Sequence, residues 1–172
     1  MNLLGLHQDT SLISLGLVSE DGQELYLEFN DYNKDQCDDW IQQNVIENTV
    51  KEGTNDVIGI VLDETNYHYG SKEELKIILT EWLSKFDDIQ LVSDVCHYDM
   101  VLFINLFGTA FDLPDNITAV CHDINQDIAL FYWISDKAAF DFSREDILED
   151  LGINIRGNKH NALYDAKVIK AI

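Results

Sequence analysis

The stretch IQLVSDVCHYDMVLFINLFG, residues 89–108, decides the fold class of this protein. Its first seven residues form a short apolar run that is typical of a buried strand. The rest is an unbroken apolar run that ends at Gly108, a residue suited to closing a helix. A strand that runs directly into a helix favours parallel pairing with another strand. The stretch therefore predicts an α/β arrangement.

Strand and helix patterns alternate on both sides of this stretch. The predicted elements are strands over 10–18 and 24–29 joined by a turn at 20–23, a helix over 33–50, a short strand at 56–63, a helix from the capping box of Ser71 and Glu74 to Phe86, a strand over 117–124, helices over 124–134 and 143–151, and a last helix after Asn161. Ala162, Ala166 and Ile169 are predicted to face the sheet in that last helix. This order predicts helices on both faces of a mixed sheet.

Length and composition predict one globular domain over residues 1–172, with 46% hydrophobic residues and a single proline. The sequence contains neither an apolar run of membrane-spanning length nor the pattern of a secretory signal, so we expect no membrane association. Three widely spaced cysteines indicate reduced thiols rather than a disulfide framework. We therefore expect a cytoplasmic protein.

The formal net charge of -21 excludes a general nucleic-acid-coating protein, because such a field repels phosphate backbones. It does not exclude a nuclease that holds cations in its site. The charge is uneven, since the segment 156–172 carries four basic residues and one acidic residue. This segment is a local basic island.

Two residues of the last segment, GNKHNALYDAKVIKAI (157–172), are candidates for chemistry. If Asn161 caps the final helix, His160 lies in the loop before it and Asp165 lies one turn into it. A histidine and a carboxylate placed in this way can converge on one site. The alternative is a loop histidine and a surface carboxylate that stabilises the helix dipole.

Asp99 is the natural third member, because it begins the apolar segment MVLFINLF, where an unpaired buried carboxylate would be costly. A metal ion would satisfy it. The alternative is a first-turn carboxylate that faces water and stabilises the helix. Asp94, at the end of the preceding strand, is a weaker candidate.

Other motifs carry less information. The pairs Cys96-His97 and Cys121-His122 lack zinc-site spacing, because adjacent residues of a strand point to opposite faces. The loop segment ETNYHYG (64–70) has aromatic residues that can stack on nucleobases or simply pack over the core. The sequence lacks the phosphate-binding, dinucleotide-binding and nucleophile-elbow motifs. The carboxylates and His160 therefore remain as the candidate functional residues.

Three segments, TSLISLGLVSEDGQELYLEF (10–29), LVSDVCHYDMVL (91–102) and the closing GNKHNALYDAKVIKAI, resemble the bacterial and phage RNase T-like 3′-5′ exoribonucleases of the DEDDh class. The resemblance implies an RNase H-like fold and two Mg²⁺ or Mn²⁺ ions. It implies His160 as general base and Asp99 and Asp165 as catalytic metal ligands. It further implies Lys159 and Asn161 as substrate contacts, single-stranded RNA or DNA 3′ ends as substrate, and a homodimer.

The sequence departs from this family at its start. The first motif, an Asp-x-Glu on the opening central strand, should precede Gly5, but Asn2 stands in the place of the glutamate. We therefore expect that strand to be missing or replaced, and hydrolysis to be severely impaired for lack of two metal ligands.

The missing first motif has three possible explanations. One is a shortened reading frame or protein. Another is an inactive acidic pseudonuclease that binds a basic protein as an inhibitor or decoy, for example in phage counter-defence. A third is an interaction domain unrelated to nucleic acid.

Overall fold

The computed structural model describes residues 1–3, 10–53 and 66–172. Contacts group the chain into two compact units: Met1–Trp82 with Ile155–Lys170, and Leu83–Asn154 with Ala171–Ile172. The described strands form a four-stranded sheet in the first unit and a two-stranded sheet in the second. The single domain expected over residues 1–172 stays a prediction.

Helices and strands alternate through the described residues, which confirms the predicted α/β class. The strands are β1 (Asn2–Leu3), β2 (Leu12–Val18), β3 (Glu24–Phe29), β4 (Tyr67–Gly70), β5 (Ile89–Ser93) and β6 (Ile117–Asp123). The α-helices are α1 (Asp39–Asn44), α2 (Lys72–Leu83), α3 (Cys96–Phe107), α4 (Ile124–Tyr132), α5 (Asp136–Asp141), α6 (Arg144–Leu151) and α7 (Ala162–Ala171).

The sheet of the first unit has the order β1-β2-β3-β4 and is mixed. β2 and β3 form the predicted antiparallel hairpin, with Ser14 opposite Glu28 and Val18 opposite Glu24. β4 pairs with β3 in parallel. β1 is a strand of two residues that pairs antiparallel with β2. β1 lies at the edge of this sheet. That the central opening strand is missing or replaced stays a prediction.

The last helix lies close to this sheet at Gly16 of β2. A Cβ atom built on Gly16 would lie 2.2 Å from the carbonyl oxygen of Ala162. Only a glycine permits this approach, because a methyl group there would overlap the helix backbone. Ala162 is fully buried, as predicted for a small residue facing a sheet. The rest of the buried face differs from the predicted one, since Leu163, Tyr164 and Val168 are buried whereas Ala166 and Ile169 are only half-buried.

Two predictions for the first unit are corrected. The helix expected over 33–50 is interrupted: α1 is flanked by 3₁₀ turns at Lys34–Gln36 and Ile46–Asn48. The interruption has a local cause, because the side chain of Asp38 accepts the N–H of Ile41 and starts a new helix there. The aromatic segment predicted as a loop contains β4. The predicted strand at 56–63 lies outside the described residues.

The second unit confirms the β-α passage that the opening stretch predicted. β5 leads into α3 and pairs in parallel with β6, with Leu91 opposite Cys121. α3 ends at Gly108, whose φ of 118° lies in the region that favours glycine. α6 is capped by Ser143, as predicted. The sequence reasoning missed α5, a single short helix capped by Ser135.

Within the described residues, every helix is too short or too polar to cross a membrane.

Candidate functional site

The predicted site residues of the first unit lie at the start of α7. Asn161 is fully buried and caps the helix, since its Oδ1 accepts the N–H groups of Leu163 and Tyr164 at 3.0 and 3.2 Å. Its Nδ2 donates to the carbonyl of Asn48 at 2.9 Å and to Tyr26 Oη at 3.2 Å. The predicted cap is confirmed. The side chain is engaged entirely within the protein, so the expected substrate contact by Asn161 would require these bonds to break.

His160 precedes this cap in a backbone conformation that few non-glycine residues adopt, with a φ of 67°. Its backbone N–H donates to Asp165 Oδ1 at 3.2 Å. Its ring lies edge-on to the ring of Trp40, with 5.4 Å between centroids. The Asp165 carboxylate therefore holds the backbone of His160, and the ring contacts an aromatic side chain of α1.

Asp165 lies one turn into α7, as the sequence predicted. It is half-buried, and its N–H donates to the carbonyl of Asn161 at 2.9 Å, which forms the first turn of the helix. A carboxylate in this position interacts favourably with the positive end of the helix dipole. The structure thus brings His160 and Asp165 together.

Asp99 belongs to the second unit, in the first turn of α3. Its side chain is buried, and the hydroxyl of Ser93 donates to Asp99 Oδ2. Ser93 Oγ in turn accepts the N–H of Val95 at 3.0 Å. The alternative in which Asp99 faces water is wrong, because the carboxylate is buried and hydrogen-bonded to a strand residue.

Asp94, the weaker candidate, has a different role. Arg144 Nε lies 3.4 Å from Asp94 Oδ2, and the guanidinium also donates to the carbonyls of Ala139 and Phe142 at 3.0 Å each. The Asn125 side chain donates to the backbone carbonyl of Asp94 at 2.7 Å. These contacts make Asp94 part of a structural network that holds α5 and α6.

The described carboxylates do not fit the two-ion centre that the resemblance implies. In residues 1–3, 10–53 and 66–172, no three histidine, cysteine or acidic side chains gather closely enough to hold a metal ion. Asp99 and Asp165 are the members of the implied ligand set that the sequence retains, and they belong to different units. Each already accepts a hydrogen bond from the protein.

The basic island is partly neutralised. Lys167 Nζ lies 2.9 Å from Glu24 Oε2, so this lysine forms an ion pair with β3. Lys159, the other predicted substrate contact, is exposed beside His160. Lys159 is thus exposed next to His160, as are Arg156 and Lys170 elsewhere in the basic island.

Sequence reasoning missed a buried carboxylate, Glu28 of β3. Its oxygens accept the N–H groups of Val50 and Lys51, the latter at 2.9 Å, and the hydroxyl of Tyr67 at 3.0 Å. Burial, and then the nearby Glu28 carboxylate, raise the pKa of Tyr67. The sequence ELYLEF could have indicated this carboxylate. Its apolar residues alternate with Glu24, Tyr26 and Glu28, so Tyr26 and Glu28 share one face of the strand and the other face is apolar. The Glu28 contacts organise the chain after α1.

The two tyrosines of β4 differ in their exposure. The rings of Tyr67 and Tyr26 lie 5.9 Å apart, and Tyr67 is half-buried. Tyr69 is 38% exposed, and Lys51 Nζ lies 5.8 Å from its ring centroid. The position of Tyr67 agrees with the packing alternative, whereas stacking of Tyr69 on a nucleobase stays a prediction.

No protein-family model matches the chain. The chain is similar to two proteins from two strains of Mycobacterium tuberculosis, each named a 3′-5′ exoribonuclease. Each is 24% identical over 117 residues, which cover 67% of this chain. The matched region spans 62% of the length of these relatives. The similarity supports a distant relationship to the 3′-5′ exoribonucleases.

Proposed function

We propose that the chain is a 3′-5′ exonuclease-type domain in which hydrolysis of nucleic acid is severely impaired. The observation that carries the proposal is that His160 lies beside Asp165, whose carboxylate accepts the backbone N–H of His160, next to the buried Asn161 cap. The similarity to proteins named 3′-5′ exoribonucleases points in the same direction. Single-stranded RNA or DNA with a free 3′ end is the proposed substrate class.

In this proposal His160 is the general base that takes a proton from the attacking water. Its ring rests on the edge of Trp40, which limits the orientations that the imidazole can adopt. Lys159 is exposed and would contact a substrate phosphate. With a formal net charge of -21, the rest of the molecule disfavours nucleic acid, so binding depends on such local contacts.

The proposed impairment rests on residues 1–4, which lack the Asp-x-Glu motif. Hydrolysis by two metal ions needs carboxylates that hold both ions on the scissile phosphate. This sequence offers Asp99 and Asp165 but no Asp-x-Glu ahead of Gly5. Within each unit, neither Asp99 nor Asp165 has the further carboxylates that such a centre needs among the described residues.

The test follows the shortening of a 5′-labelled single-stranded RNA, and of a DNA of the same sequence, with Mn²⁺ present. The proteins compared are the native chain, a chain extended by a strand that carries Asp-x-Glu, and each with Asp165→Ala. Asp87→Ala, which removes an exposed carboxylate, is the matched control. We expect little shortening by the native chain, and stepwise shortening by the extended chain that Asp165→Ala abolishes.

Two results would change the proposal. Shortening by the native chain at the rate of the extended one, lost in Asp165→Ala, would show that a substitute ligand exists and that hydrolysis is not impaired. An extended chain that folds but leaves both substrates intact would contradict the exonuclease assignment and favour the second candidate.

The second candidate function is an acidic binding protein with a basic partner, and a surface of the second unit favours it. Large apolar side chains lie exposed around α4 and α5: Leu130, Phe131, Trp133 and Phe140, with exposed fractions of 75, 69, 94 and 53%. Both basic residues of the segment 123–151 are engaged, Lys137 with Asp141 and Arg144 with Asp94. The segment 123–151 carries eight acidic residues against these two basic ones, so a basic amphipathic helix of another protein is the complementary partner.

This candidate is tested with a synthetic amphipathic peptide of lysine and leucine that carries a dye, its binding followed by the fluorescence anisotropy of the dye. We expect binding that weakens as salt is added and that is lost in Phe131→Ser combined with Trp133→Ser. A peptide with glutamate in place of lysine is the control. Equal binding of both peptides, or binding unaffected by the double substitution, would contradict this candidate.

A further inference from the structure

Two cysteines that are far apart in sequence meet in the second unit. Cys96 is the first residue of α3, and Cys121 lies on β6. Their sulfur atoms are 2.9 Å apart. Non-bonded carbon atoms in contact lie about 3.5–4.0 Å apart, so the two thiols are closer than ordinary packing brings side chains.

The pair lines a cavity of about 360 Å³. Met100, His97 and Asp123 also line it. Cys96 is 7% exposed, and Cys121 is half-buried. A small reagent that enters the cavity therefore meets Cys121 first, with Cys96 directly behind it.

We propose that Cys96 and Cys121 are a modification site at which a small disulfide, such as oxidised glutathione, forms an internal disulfide bond. The sulfur of Cys121 attacks the reagent and forms a mixed disulfide, which releases one glutathione thiol. The sulfur of Cys96 then attacks Cys121 and displaces the second glutathione thiol. The two cysteines lose two hydrogens, and the reagent is reduced to two thiols, so atoms and electrons balance.

The geometry makes the second step favourable. A disulfide bond is about 2.05 Å long, so the sulfurs need to approach by roughly 0.9 Å. Burial raises the pKa of both thiols. Because the thiolate is the attacking form, the raised pKa of Cys121 makes the first step slow. The second step is faster than the first because the two sulfurs already lie next to each other. The mixed disulfide should therefore not accumulate.

The new bond would join the first turn of α3 to β6. It closes the loop between residues 96 and 121 and restricts the unfolded chain. We expect the oxidised protein to unfold at a temperature about 5 °C higher than the reduced protein. This proposal does not depend on the proposed exonuclease function.

The experiment incubates the reduced native chain with oxidised glutathione, then counts free thiols and maps the peptides by mass. We expect the loss of two thiols, a mass decrease of two hydrogens, and one linked pair of peptides that contains Cys96 and Cys121. Cys37→Ser is the matched control, because burial also raises the pKa of this half-buried thiol. It should form the same link, whereas Cys96→Ser and Cys121→Ser should not.

The internal link is measured in the native chain. The test therefore remains valid even if a cysteine variant fails to fold. A glutathione adduct that persists on Cys121, or a link that includes Cys37, would overturn the proposal. An internal Cys96–Cys121 link without a rise in unfolding temperature would overturn the inferred stabilisation.

Discussion

The side-chain amide of Asn161 donates to Tyr26 Oη at 3.2 Å, which joins the start of α7 to β3 across 135 positions of sequence. Both side chains are fully buried. The same amide caps α7 and donates to the carbonyl of Asn48. One side chain therefore fixes the helix that carries Asp165 and orients the loop that carries His160.

Asn161→Ala is expected to lower the free energy of unfolding by about 3 kcal/mol. A lost cap costs about 1 kcal/mol, and a buried group left without a partner costs about 1–3 kcal/mol. Urea unfolding followed by circular dichroism measures the change. Asn154→Ala, at an exposed asparagine, is the control. A loss of less than 1 kcal/mol for Asn161→Ala would contradict the role of this contact.

Gly16→Ala is expected to destabilise the protein by about 3 kcal/mol or more. The added methyl would lie 2.2 Å from the carbonyl oxygen of Ala162, and backbone cannot move aside as a flexible side chain can. Gly152→Ala is the contrasting variant, because a Cβ there meets nothing within 4 Å although φ is 68°. It should cost about 1 kcal/mol from backbone strain alone. Similar losses in the two variants, measured by urea unfolding, would be inconsistent with the close approach of α7.

The stability of the protein is expected to fall as the pH rises above 10. Burial, together with the Glu28 or Glu52 carboxylates, raises the pKa of Tyr26, Tyr32 and Tyr67 above the ordinary value of 10.0. In this range the unfolded chain loses phenol protons that the folded chain retains, so deprotonation favours unfolding. The stabilisation is thus complete below pH 10 and lost as the pH rises through the folded-state values.

Urea unfolding at a series of alkaline pH values tests this dependence, and ultraviolet absorbance reports the phenolate. Tyr67→Phe should flatten the slope, since it removes one of the titrating groups. A slope that stays the same in Tyr67→Phe, or a protein whose stability is constant up to strongly alkaline pH, would show that these phenols titrate normally in the folded state.

Ser93→Ala is expected to lower the free energy of unfolding by about 2 kcal/mol, because it leaves the buried Asp99 carboxylate without the hydroxyl that donates to it. A double-mutant cycle with Asp99→Asn separates this contact from the other effects of each substitution. We expect a coupling of at least 1 kcal/mol between the two positions. Additive effects would indicate that the two side chains do not interact.

Much of the local structure could be predicted from the sequence. The hairpin, the β-α passage into α3, and the starts of α2, α6 and α7 follow from signals within a few residues of each other. Ser71 and Glu74 show this, since both the N–H and the hydroxyl of Ser71 donate to the Glu74 carboxylate. Where a local signal was overlooked, as at Asp38, the predicted helix was too long.

The candidate site was predictable only in part. The spacing correctly predicted that Asn161 caps the helix and that Asp165 follows one turn later. The convergence of His160 and Asp165 on one catalytic site stays a prediction. The spacing could not show that Asn161 is buried, because its partners Tyr26 and Asn48 are distant in sequence. For the same reason the Glu28 contacts and the neighbouring sulfurs of Cys96 and Cys121 were missed.

The sequence by itself determined the α/β class, the main strands and helices, and the helix caps, because periodicity and capping depend on residues within one or two turns. Only the tertiary structure decided which polar side chains are buried and what they bind. A buried polar group takes its partner from whatever element packs against it, and that neighbour is set by the fold rather than by distance along the chain.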